Sequence, residues 1–108
     1  MDEDAIKLRI QQKFPGLYPD KGLDLVAKKI QQFDTQLKLE LEKFLETGEI
    51  PAREINGYTI DKLVKEHGMN ELAAFLTMDW LIREPEKATE SLHRGADKLV
   101  GWHKKGSA

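Results

Sequence analysis

Between Gly22 and Thr47, Leu23, Val26, Ile30, Phe33, Leu37, Leu41 and Phe44 follow one another at steps of three or four, with no proline or glycine among them. That spacing predicts a single amphipathic helix with one apolar stripe. At a rise of about 1.5 Å per residue it is roughly 40 Å long, and it is expected to be the spine on which the other elements pack. Two stretches strain this reading. Leu37, Leu39 and Leu41 alternate with Lys38 and Glu40, which is the period of a strand. The helix is preferred because Leu41 leads on to Phe44 and Leu45, and because lysine and glutamate are good helix formers. Asp34-Thr35 is the weakest link, since both residues favour non-helical backbone, and a bend is allowed there.

The flanking segments carry their own punctuation. Asp2, Glu3 and Asp4 place negative charge on a first helical turn, and Ile6, Ile10 and Phe14 then recur at steps of four. Such charge suits the positive end of a helix. Pro15 disfavours helical backbone at Phe14, so this helix stops near Lys13. Asp20 is expected to cap the spine, and Gly48 to end it in a left-handed conformation. After Pro51, Asn56-Gly57 is a type I′ turn signal joining Glu54-Ile55 to Tyr58-Thr59 in, at most, a two-rung hairpin over 54–59. Thr59 then caps a helix with Ile60, Leu63, Val64 and His67 on its inner face, ending at Gly68. Asn70 caps the next, over 71–83, where Leu72, Ala73, Ala74, Phe75, Leu76, Met78, Trp80, Leu81 and Ile82 leave almost no polar face. A helix apolar all round is buried, so this one is expected at the centre. Pro85 suits the first turn of a last helix with Ala88, Leu92, Ala96, Leu99 and Val100 inward; Gly95 weakens it by about 1 kcal/mol. The expected fold is all-α, a compact bundle of about five helices with one long central helix (about 22–47), forming a single domain over 1–103 with a disordered tail at 104–108.

Composition narrows the classes of function. The chain has 108 residues, 33% of them charged, with a net charge of -2 and no cysteine. Near-cancelling charges with an ample apolar fraction belong to a folded domain. The lack of cysteine removes disulfides, thiolate metal sites and thiol catalysis, and suits a reducing compartment. No apolar run approaches the roughly 20 residues that span a bilayer, and Met1-Asp2-Glu3-Asp4 is acidic where a signal peptide would be basic. The expected location is cytoplasmic, with no membrane partner.

Candidate chemistry is sparse. Residues 59–83 form a helix-turn-helix-like pair hinged at His67-Gly68-Met69-Asn70, the arrangement that presents a recognition helix to a major groove. A recognition helix needs a face of donors and cations, and this one carries only Arg83, against Glu71 and Asp79. Arg94, Lys98, Lys104 and Lys105 could add a mild basic patch, which makes a nucleic-acid-binding regulator an alternative rather than the leading reading. His67, His93 and His103 lack the i, i+4 spacing of a helical zinc site, so no metal is expected. Ser91 and Ser107 sit in no nucleophile elbow, and Glu40 with Glu42, or Glu84 with Glu86, point to different helix faces. No catalytic residue, cofactor site or phosphate loop is recognised, and the chain is not expected to be an enzyme. A ligand pocket among Tyr58, Trp80 and Trp102 is the remaining enzyme or small-molecule alternative. On the back of the spine, Leu25 and Leu39 stand 14 residues apart, about four turns, among Lys28, Gln32, Gln36 and Lys43. They are the candidate partner-binding residues. The leading expectation is therefore a small non-catalytic protein-interaction module, self-associating or meeting another helical protein through that surface.

Overall fold

The structure, a computed structural model, describes residues 1–94. The chain is all-α: six helices among the described residues, with one isolated β-bridge. It divides into two compact units, Met1–Pro51 and one beginning at Ala52.

The first unit is built from α1 (Glu3–Lys13), α2 (Asp20–Gln31) and α3 (Thr35–Thr47). The Asp2 carboxylate accepts from the Ala5 amide at 2.8 Å and starts α1, and the helix ends at Phe14, ahead of Pro15, where ψ swings to 65°. Both ends follow from local chemistry. Asp20, expected to be a cap, is instead the first residue of α2; Pro19 holds the cap position without a side-chain bond. Its charge still complements the helix N-terminus.

The single spine over 22–47 is replaced by two helices. Gln32 ends α2 with its amide on the Lys29 carbonyl at 3.0 Å, the Phe33 amide returns to Ile30 at 3.1 Å, and Asp34 takes extended backbone. Its carboxylate accepts from the Leu37 amide at 2.8 Å and begins α3. In mid-helix this side chain would have no free amide to bond, whereas at a cap it satisfies one that helix geometry leaves orphaned. Periodicity hid the break because the apolar steps run through it: Ile30, Phe33 and Leu37 are all buried. The strand alternative for 37–41 does not occur, since α3 is helical throughout and Gly48, at φ 79°, closes it.

α1 packs on both α2 and α3. Ile6 and Ile10 meet a core of Leu23, Ala27, Ile30, Phe33, Leu37, Leu41, Phe44 and Leu45. Lys7 Nζ donates to Asp24 Oδ1 at 2.8 Å, which holds the Asp24 carboxyl below its ordinary range. Phe14 and Phe44 lie 6.2 Å apart, with Lys13 Nζ 4.8 Å from the Phe44 ring centre. The Met1 ammonium pairs with Glu42.

The second unit opens with the expected turn. Ile55 and Tyr58 exchange backbone hydrogen bonds of 2.8 and 2.9 Å around Asn56 at φ 50° and Gly57 at φ 87°, the positive dihedrals of a type I′ turn. α4 (Ile60–His67) is capped by the Thr59 hydroxyl on the Lys62 amide and closed by Gly68 at φ 69°. α5 (Glu71–Arg83) starts where Asn70 Oδ1 accepts from the Ala73 amide at 2.8 Å. α6 runs from 85 and is described to 94, with Ala88 and Leu92 buried.

α4 packs on α5, where Leu72, Ala74, Phe75, Met78 and Leu81 are buried. One charge is buried with them: Asp79, 3% exposed, accepts from Arg83 Nε at 3.0 Å and lies 2.9 Å from Arg83 Nη2. A carboxylate at such depth needs this kind of two-pronged partner. The inward positions expected at Ala96, Leu99 and Val100, the weak point at Gly95 and the tail at 104–108 lie outside the described residues.

Candidate functional site

The first unit repeats one local device three times. In Ile6-Lys7-Leu8, Leu23-Asp24-Leu25 and Leu37-Lys38-Leu39, apolar residues stand two apart, about 200° around a helix. The earlier member of each pair is buried, and the later is 54%, 69% and 59% exposed for Leu8, Leu25 and Leu39. Each helix therefore turns a leucine directly away from its own core face. Leu17 and Ile50 are also exposed. Every large apolar residue exposed among the described residues lies in this unit.

Leu25 and Leu39 do not share one helix face, as a continuous spine would require. Leu25 is on α2 and Leu39 on α3, with the break at 32–34 between them. On α2, Leu25 is bracketed by exposed Lys21 and Lys28, a turn to either side. On α1, Leu8 lies one turn from Asp4, whose side chain is 93% exposed.

The helix-turn-helix pair exists in outline, as α4 and α5, but α5 is covered on nearly every side. Arg83 is its one exposed residue, and that side chain is engaged with Asp79. No polar face is left to read base edges. Arg94 pairs with Glu90 at 2.6 Å, and Lys98, Lys104 and Lys105 lie outside the described residues.

The pocket expected among Tyr58, Trp80 and Trp102 forms differently. Trp80 does not line it, and Trp102 lies outside the described residues. Tyr58 does, in a hollow of about 400 Å³ whose walls include Asn56, Lys62, Glu66, His67 and His93. The tight turn at 55–58 drops Tyr58 inward, to 5% exposure. The His67 ring stands 5.7 Å from it and the His93 ring 6.2 Å, edge-on. Lys62 Nζ sits 5.1 Å from the ring centre and 3.4 Å from the Gly57 carbonyl oxygen. Asn56 Nδ2 reaches Thr89 Oγ1 at 3.4 Å, tying the turn to α6. Burial raises the Tyr58 phenol above its ordinary pKa, and the Glu66 carboxylate adds to the effect. The phenol thus stays protonated near neutrality.

Sequence reasoning set His67 and His93 apart because 26 positions separate them. The turn and the two helices bring them to one ring. Among the described residues no three histidine, aspartate or glutamate side chains converge as a metal site, and no helix is long and apolar enough to cross a membrane. Comparison with known protein families, curated proteins and solved structures gives no match to this chain.

Proposed function

We propose that the protein is a non-catalytic interaction module that self-associates through the outer faces of α1 and α2. The observation that carries this reading is the concentration of exposed large apolar side chains in the first unit, with Leu25, at 69%, the most exposed. The two faces are complementary. α2 offers Lys21, Leu25 and Lys28, while α1 offers Asp4 and Leu8, and α1 and α2 are packing neighbours. In a two-fold dimer, α1 of one copy meets α2 of the other and the contact is made twice. The leucines then bury apolar area while Asp4 faces the lysines, which sets the register. A cytoplasmic setting agrees with a chain that uses no cysteine.

Sedimentation velocity across a range of protein concentration is the test. A dimer that weakens with added salt, as screening of Asp4 and the lysines requires, and that disappears in Leu25→Ser is the expected outcome. A chain that stays monomeric at every concentration overturns the reading. Nucleic-acid binding draws less support, since α5 keeps no free polar face.

A further inference from the structure

We propose that the hollow over Tyr58 is a binding site for a small phosphate or phosphate monoester, held by Lys62, His67 and His93. Three nitrogen-bearing side chains from two helices face one ring, with the Lys62 ammonium and the two imidazole rings all within 6.2 Å of its centre. All three also line one hollow of about 400 Å³ beside that ring, a space that admits a single small anion. Lys62 is already fixed against the turn by its 3.4 Å contact with the Gly57 carbonyl. An ammonium has three donors, so two remain for a ligand. Each imidazole can donate from a ring nitrogen, and Asn56, at the lip, carries a further amide.

Other ligand classes fit less well. A metal ion would need a third ligand converging with this pair, and although Glu66 lines the same hollow, the described residues form no group of three that could hold one. An organic cation would meet the Lys62 ammonium over the buried Tyr58 ring. An apolar ligand would strip water from Lys62, Glu66, His67 and His93 and offer no hydrogen bond in exchange. A phosphoryl group instead supplies several acceptor oxygens to converging donors, in bonds strengthened by charge. Glu66, on the same rim, repels a dianion and limits its affinity. This gives the site a signature of opposite signs: removing Lys62 or His93 weakens binding, and neutralising Glu66 tightens it. Self-association through the first unit is not required for any of this.

The experiment is titration of the full chain with inorganic phosphate at constant ionic strength, following the imidazole proton resonances of His67 and His93, with sodium chloride as the control salt. Saturable shifts of both rings are expected, with glycerol 2-phosphate reproducing them if the site accepts a monoester. Lys62→Met and His93→Gln should each raise the Kd about tenfold or more, the loss expected of one charge-assisted bond, and Glu66→Gln should lower it. His93 is exposed, so His93→Gln keeps the test open if Lys62→Met fails to fold. Absence of saturation, equal shifts with chloride, or a Kd indifferent to both Lys62→Met and His93→Gln overturns the proposal.

Discussion

Residues 1–51 and the described residues from 52 onward use the same helix punctuation but dispose of their leucines differently. In the first unit α1, α2 and α3 each bury one apolar stripe and hold one leucine on the opposite side. In the second, α5 is apolar nearly all round, and its neighbours leave only Arg83 exposed. A core explains the second arrangement completely, because every apolar side chain there removes surface from water. It explains only half of the first. Folding gains nothing from Leu8, Leu25 or Leu39 in solvent, so these side chains are where the first unit has apolar surface left for another molecule.

The largest effect expected from breaking this contrast is at Phe75, fully buried in α5. Phe75→Ala should cost about 3–5 kcal/mol, the transfer term plus the cavity, in denaturant unfolding; a loss below about 1 kcal/mol would mean that α5 is not enclosed. Next come two leucines two positions apart. Leu23→Ala should cost about 2–5 kcal/mol, whereas Leu25→Ala should stay within about 0.5 kcal/mol when measured on monomer. Equal costs would put both on the core and remove the outward leucine. A smaller change separates a broken spine from a continuous one by its sign. With Asp34 as the cap of α3, Asp34→Ala destabilises by about 1 kcal/mol; in an unbroken helix the same change would stabilise, alanine being the better helix former. Asn70→Ala should give a loss of similar size at α5.

The smallest effect is alkaline and belongs to the second unit. The Tyr58 phenol titrates higher in the folded chain than its ordinary 10.0, first through burial and then through Glu66. Folded protein therefore holds this proton more tightly than unfolded chain, and the associated stability, complete below pH 10, is lost as pH rises through the folded value. Tyr58→Phe should flatten that decline in melting experiments between pH 9 and 11. Burial of Tyr18 gives the first unit a decline of its own, so a residual slope is expected. An unchanged slope in Tyr58→Phe would place the phenol in water.

Asp34 and Asn70 show what was legible in the order of residues and what was not. Asn70 follows Gly68, a visible stop, so the cap and the helix it starts could both be read in advance. Asp34 follows Phe33 in an unbroken apolar rhythm, and the same side chain chemistry passed as a bend. The difference is that periodicity reports which residues share a buried face, not whether the backbone between them is continuous. Buried Asp79 was likewise invisible: in the sequence it stands only as a charge beside Glu71 on an apolar helix, and its burial against Arg83 belongs to the folded chain.

By itself the sequence determined both ends of α1, the close of α3, both ends of α4 and the start of α5, through Asp2, Pro15, Gly48, Thr59, Gly68 and Asn70, together with the Asn56-Gly57 turn. These are contests between a side chain and backbone amides or carbonyls only a few residues away, so the local order of residues settles them. The structure decided between the two roles open to Asp34, bend or cap, and so set Leu25 and Leu39 on separate elements, and tertiary packing alone decided that His67 and His93 share Tyr58. Those outcomes depend on which faces meet after the chain has turned back on itself. The encounter of side chains 26 positions apart is fixed by loop geometry and packing, and no local spacing records it.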